Sequence, residues 1–222
     1  MRALALVAVL AALCLGGYVA LSGRPPLGEP EAQSFAVVSS VEAAGAAGGG
    51  RRPPVLTRLR TETYAVDGAT VDEVLRSLLE RGPATEAGVF FGLTTAETRL
   101  RYRTLASDRG CAIADVEVDL DVTVTLPAWQ PPPGVPSEVR RDWRRFLHAL
   151  RGHEDEHREI AERKAGALHR AVSAVRAPTC EAAVAEGRRR VGRLQIEAEA
   201  AHRQFDRETD HGSTQGASWP VR

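Results

Sequence analysis

The segment from Val116 to Leu126 restricts the fold more than any other part of the chain, because apolar and polar residues alternate along it without interruption. A period of two is typical of a β-strand with one buried face and one face in water. Strands of a parallel sheet are usually apolar on both faces, so the alternation favours antiparallel pairing. We therefore expect an antiparallel sheet covered on one side only, with this strand ended by Pro127 and Pro131-Pro132-Pro133.

Other segments predict further strands and a first helix. Strand patterns bounded by turn residues occupy residues 59–66, 89–93 and 98–105. After the first of them, Thr70 and Glu73 have the spacing of a capping box, and apolar residues then repeat at helical intervals. This helix is predicted to stop at Gly82-Pro83.

The second half of the chain predicts two long helices. Ser137 can cap the first, which has an apolar stripe through Trp143 and Leu150 and is predicted to run towards Pro178. Thr179 can cap the last helix. The order of elements predicts an α+β fold, in which an antiparallel sheet of about four strands packs against the first long helix and further helices on one face.

The N-terminal part of the chain has a different composition. Residues 1–23 combine a basic start with an uncharged apolar run, which predicts a signal peptide or an N-terminal membrane anchor. Residues 24–56 are rich in Pro, Gly and Ala and predict a flexible linker, so the folded domain is expected over residues 57–222. The leader predicts export to a periplasmic, extracellular or membrane-anchored position on the outer face of a bacterial inner membrane.

Charge and cysteine content limit the class of protein. Basic and acidic residues balance at 29 each, so nothing favours a nucleic-acid partner. In an exported domain, Cys111 and Cys180 are expected to form a disulfide, because the compartment is oxidising. The alternative is that one of them binds zinc, although neither lies in a CxxC pair.

The chemical signal lies in the middle of the first long helix, in the sequence His153-Glu154-Asp155-Glu156-His157. Histidines four residues apart lie about 40° apart around a helix, so both imidazoles can hold one Zn²⁺ ion. Glu154 falls on the apolar side of the helix, where it can act as general base for a zinc-activated water. The alternative is an amphipathic helix that is simply rich in Glu and His, but both histidines fall on the apolar stripe.

The third zinc ligand is left open by the motif alone. The continuation that places a third histidine six residues further on fails, since position 163 is Arg163. The remaining candidates lie downstream, on the last helix or just beyond it: Glu197, Glu199, His202 and His211.

Several motifs together resemble one known family, the predicted bacterial secreted zinc-dependent proteases (domain of unknown function 922). The matching features run from Tyr64 to the C-terminal region: Tyr64-x-Val66-x-Gly68, Arg101-Tyr102, Cys111, Pro127-x-Trp129, Trp143-x-x-Phe146-Leu147, His153-Glu154-x-x-His157, Cys180 and Asp206-x-x-Thr209-x-His211-Gly212. The resemblance implies a zincin-like zinc peptidase and favours His211 as the third ligand.

Three functions are compatible with these features. The first is a secreted or membrane-anchored zinc metallopeptidase that acts on peptide or protein substrates, with Glu154 as general base. The second is a non-hydrolytic module of the cell envelope in which zinc is structural. The third is a cell-surface interaction domain in which the histidines are incidental. The presence of Glu154 favours the first, because a structural site would be closed by a fourth protein ligand.

Overall fold

The computed structural model describes residues 53–85 and 88–221. The predicted leader and most of the predicted linker lie outside the described residues. The elements follow in this order: β1 Val55–Val66, α1 Val71–Arg81, β2 Ala84–Thr85, β3 Gly88–Val89, β4 Leu93–Ser107, β5 Gly110–Trp129, α2 Ser137–Ser173, β6 Arg176–Ala177, α3 Cys180–Thr209 and a short 3₁₀ helix, Ser213–Gln215. The fold is α+β, as predicted, and β1 begins inside the segment predicted as linker.

The main sheet is mixed, so the prediction of an antiparallel sheet was wrong for one pair. Its strand order is β1-β5-β4, with β6 pairing β5 at the end near Cys111. β4 pairs β5 antiparallel, whereas β1 pairs β5 parallel from Val55↔Val118 to Val66↔Trp129. The sequence argument failed because it assumed that parallel strands are buried on both faces. Here helices cover the sheet on one face only, and residues 57–63 of β1 are exposed on both faces.

β5 also continues through Pro127, the first of the prolines predicted to end it, and stops at Trp129, before Pro131-Pro132-Pro133. A central strand forms hydrogen bonds with a neighbouring strand on each side, and a proline has no N–H to donate to either neighbour. Pairing between β4 and β5 begins at Leu93↔Thr125, so at Pro127 only β1 is paired with β5. The missing donor is tolerated because that side of β5 has no partner strand at this point.

The two faces of the sheet differ as the alternation predicted. Val118, Leu120 and Val122 are buried under the helices, with α2 lying across β5 and β4. On the opposite face, acidic residues of β5 pair with arginines of both neighbouring strands. These ion pairs are Arg58 with Asp119 and Asp121, Arg99 with Asp121, and Arg101 with Asp119 and Glu117. The hydrophobic core therefore lies between the sheet and α2, on the side where the candidate site is found.

The helix boundaries follow local signals with one exception. Thr70 and Glu73 form the predicted capping box, and α1 ends at Arg81 with Gly82 as its C-cap. Thr179 caps α3 by accepting a hydrogen bond from Ala182 N. Ser137 does not cap α2, because the helix already begins at that residue and Pro136 occupies the N-cap position without a side-chain hydrogen bond.

The predicted disulfide is present. Cys111 near the start of β5 is bonded to Cys180, the first residue of α3, and their Cα atoms are 5.0 Å apart. The bond fixes the N-terminal end of α3 to the sheet, and α3 then packs along α2. Within residues 53–85 and 88–221, none of the helices combines the length and the apolar character that a membrane crossing would need.

Candidate metal centre

Two turns in the middle of α2 carry the first two candidate ligands. His153 and His157 are 0% and 1% exposed. Their rings are perpendicular, with centroids 4.8 Å apart, and their Nε2 atoms approach to 3.3 Å. The stripe that includes Trp143, Phe146 and Leu150 holds this face of α2 against the sheet. The four-residue spacing therefore brings both imidazoles to one point inside the protein.

The third group at this point is Asp206, close to the C-terminal end of α3. Its Oδ1 lies 3.1 Å from His157 Nε2 and 3.4 Å from His153 Nε2. These three atoms form the group of potential metal ligands found among the described residues. Because α2 and α3 pack against each other, a residue 49 positions downstream of His157 reaches the same point.

The spacing of these three atoms fits a metal ion. In a tetrahedral zinc site with bonds of about 2.0–2.1 Å, neighbouring ligand atoms lie about 3.3–3.4 Å apart. The three distances between His153 Nε2, His157 Nε2 and Asp206 Oδ1 are 3.1–3.4 Å. Two imidazoles and one carboxylate are also a donor set that holds catalytic zinc and leaves a position for water or substrate.

The other nitrogen of each imidazole is also engaged. His153 Nδ1 lies 3.0 Å from Gln215 Oε1, and an amide oxygen can only accept, so Nδ1 donates and Nε2 keeps its lone pair for a metal. His157 Nδ1 lies 2.9 Å from His202 Nδ1. Phe205 stacks on the His153 ring at a centroid distance of 4.8 Å. Such contacts orient metal-binding imidazoles and fix their tautomers.

Glu154 lies beside the group and is fully buried. The single hydroxyl proton of Thr94 is shared between Glu154 Oε2, 2.8 Å from Oγ1, and the backbone oxygen of Glu154 at 3.1 Å. Gly92 faces Glu154 Oε1, and a Cβ atom at Gly92 would lie 2.7 Å from that oxygen. Thr94 therefore anchors one oxygen of the carboxylate, and the backbone at Gly92 lies so close to the other that no larger side chain fits there.

Burial dominates the electrostatics of the site. It raises the pKa of Glu154 well above its ordinary value, and the nearby charge of Asp206 adds to this. Burial lowers the pKa of His157 and lowers that of His202 to about 3, so both rings are neutral at pH 7. For Asp206, burial acts to raise the pKa, but the close polar contacts with His153 and His157 outweigh it and lower the pKa to about 2.

Three buried side-chain atoms of this site have no hydrogen-bond partner in the described part of the protein. They are Glu154 Oε1, Asp206 Oδ2 and His211 Nδ1. A buried polar atom without a partner usually costs about 1–3 kcal/mol. Their concentration around three converging ligand atoms indicates that the site is built to hold an additional group.

The structure brings some predicted site residues together and separates others. His153, Glu154 and His157 lie at one point. His211, predicted as third ligand, lies beside them with its Nδ1 3.8 Å from Asp206 Oδ1, but it is outside the three-atom group. The alternative ligand His202 contacts the far nitrogen of His157, and Glu199 is outside the group as well.

Asp206 is the residue that the sequence reasoning did not single out as a ligand. A signal for it exists in α3, where Ala198, His202, Asp206 and Thr209 repeat at helical spacing and are all buried. A carboxylate on the buried stripe of a helix requires a partner. The sequence alone did not show that this stripe faces the two histidines of α2.

Comparison with known proteins gives one match. The model of a family described as bacterial protein of unknown function (DUF922) matches residues 61–212. The match includes the second half of β1, both long helices and every residue of the candidate metal centre except Gln215. No curated protein and no solved structure matches the chain.

Proposed function

The chain belongs to the DUF922 family of bacterial proteins of unknown function, and we propose that it is a zinc-dependent metallopeptidase with a zincin-like arrangement of α2. The observation that carries this proposal is the position of Glu154. Its carboxylate is buried directly after the candidate ligand His153 and interacts with the charge of Asp206, with one oxygen held by Thr94 and the other without a partner. A metal site that only stabilises a fold has no need for such a group.

Each residue then has a chemical role. His153, His157 and Asp206 would hold the ion through Nε2, Nε2 and Oδ1. Zinc held there would supply Lewis-acid activation of a water molecule and of a substrate carbonyl group. Glu154 Oε1 takes the proton of the attacking water and passes it to the leaving amine, while Thr94 keeps the carboxylate oriented.

A second function is favoured by one observation, the burial of the whole group. His153, Glu154, His157 and Asp206 are each at most 1% exposed, and a polypeptide must reach the ion to be cleaved. In this alternative, the metal ties α3 to α2 in a non-hydrolytic module of the cell envelope.

The cellular setting belongs to the same proposal. A disulfide between Cys111 and Cys180 favours an oxidising compartment. We therefore place the protein outside the cytoplasm, in the periplasm, in the medium or on the outer face of the inner membrane. Its substrates there would be peptides or proteins, and nucleic acid is not expected as a partner.

The experiment that tests the proposal combines metal analysis with a general peptidase assay on the exported protein. The parent should contain about one zinc per chain and cleave an unstructured protein substrate. Glu154→Gln should keep the metal and lose about 10²–10⁴-fold in kcat/KM, because it removes the general base. Asp155→Asn is the matched control, since Asp155 is on the exposed side of the same helical turn and forms an ion pair with Arg158.

The outcomes separate the two functions. Zinc binding together with loss of activity in Glu154→Gln alone supports the peptidase. Zinc binding without cleavage of any substrate, together with a lower thermal stability after the metal is removed, supports the structural alternative. A protein that binds no zinc refutes both.

A further inference from the structure

His202 is a buried histidine that contacts the candidate metal centre without facing the three ligand atoms. It lies on α3 one turn before Asp206 and is 3% exposed. Its Nδ1 lies 2.9 Å from His157 Nδ1, on the side of the His157 ring away from the other ligands. α3 therefore contacts both nitrogens of His157, through Asp206 at Nε2 and through His202 at Nδ1.

The contact between two ring nitrogens restricts where the protons can be. A nitrogen at 2.9 Å from another nitrogen requires one proton between them. A ligand imidazole binds metal through a nitrogen without a proton, so His157 must carry its proton on Nδ1 when Nε2 binds the ion. His157 Nδ1–H then donates to His202 Nδ1, and His202 must offer a lone pair there.

This arrangement also fixes the tautomer of His202. A neutral imidazole has one N–H, so a His202 ring that accepts at Nδ1 carries its proton on Nε2. Nε2 is buried and has no hydrogen-bond partner among the described residues. The neutral ring therefore keeps a polar atom unsatisfied in the interior, a cost that the contact with His157 must offset.

We propose that His202 is a positioning residue that sets the tautomer and the orientation of the metal ligand His157. It accepts the Nδ1–H of His157 and so keeps the lone pair of His157 Nε2 directed towards His153 Nε2 and Asp206 Oδ1. The inference rests on the metal site of the proposed function, but it does not require that the protein cleaves peptides.

The test measures zinc affinity of the full chain by competition with a chromophoric chelator. His202→Phe keeps a ring but removes the acceptor, and it should weaken zinc binding by about 10–100-fold, the usual effect of losing such a partner. His202→Asn places an amide oxygen close to the position of Nδ1 and should restore most of the affinity. Glu199→Gln is the control, because Glu199 is a buried neighbour on α3 outside the ligand group and should leave affinity unchanged.

A second measurement needs no variant. Nitrogen-15 NMR of the zinc-loaded parent should show His157 protonated on Nδ1, and His202 neutral and protonated on Nε2 only. This spectrum decides the question if His202→Phe does not fold. A proton on His202 Nδ1, or equal zinc affinity in folded His202→Phe and the parent, overturns the inference.

The two proposals fail in different ways. A parent that binds zinc but lacks peptidase activity refutes the proposed enzyme, while a weakened His202→Phe still supports the positioning role. An active parent whose zinc affinity does not depend on His202 refutes the positioning role alone.

Discussion

Replacement of Asp206 by alanine is the sharpest test of the candidate site, because the sequence and the structure give different answers about the third ligand. Asp206 Oδ1 lies 3.1 Å and 3.4 Å from the two histidine Nε2 atoms. His211, which the family resemblance favours, has its Nδ1 3.8 Å from that oxygen. We expect Asp206→Ala to lose the metal and His211→Ala to retain it.

The expected loss of zinc affinity follows from the average contribution of one ligand to the binding free energy. Four-ligand zinc sites bind with about 10–16 kcal/mol, or about 2.5–4 kcal/mol per ligand, so Asp206→Ala should weaken zinc binding by about 10²–10³-fold. Asp206→Asn keeps the shape of the side chain but loses its charge, and should fall between the parent and the alanine variant. His211→Ala should change zinc affinity little, since His211 lies outside the three-atom group.

The assay is chelator competition at pH 7, with the circular dichroism spectrum of each metal-free variant as a check on folding. A folded Asp206→Ala that binds zinc as tightly as the parent would refute the assignment from geometry. If His211→Ala loses the metal instead, then His211 is the third ligand and the end of α3 must rearrange when zinc binds.

Three further predictions concern stability and the support of the general base. Replacing Cys111 and Cys180 by serine should lower the free energy of unfolding by about 4 kcal/mol, the chain-entropy value for a loop of this length; denaturant unfolding that matches the parent would contradict it. Burial lowers the pKa of Lys164 from 10.5 to about 8, so between these pH values the unfolded chain binds more protons and stability should rise with pH. Thermal denaturation should show this rise in the parent and a weaker one in Lys164→Met. Gly92→Ala would bring a Cβ to 2.7 Å from Glu154 Oε1, so it should reduce peptidase activity while zinc affinity stays near that of the parent; unchanged activity would show that the carboxylate can move aside.

The sequence determined those features that depend on neighbours along the chain. The spacing of His153 and His157 puts both rings on one face of α2 wherever the helix packs, because helical geometry is local. The capping box at Thr70 and the cap at Thr179 form for the same reason. The alternation along β5 likewise predicted one buried and one charged face, since side chains point to opposite sides of any strand.

The tertiary structure decided how these local elements meet. The parallel pairing of β1 with β5 follows from the path of the chain through α1 and β4, about which the residues of β1 contain no signal. The identity of the third candidate ligand also depends on the tertiary structure. His202 and Asp206 lie in the last turns of α3, and His211 lies just beyond it. Only the packing of this region against α2 determines which of them reaches His157 Nε2, which reaches its Nδ1 and which remains partly exposed. Sequence spacing fixes positions within one element, whereas a metal centre formed by two helices depends on their packing.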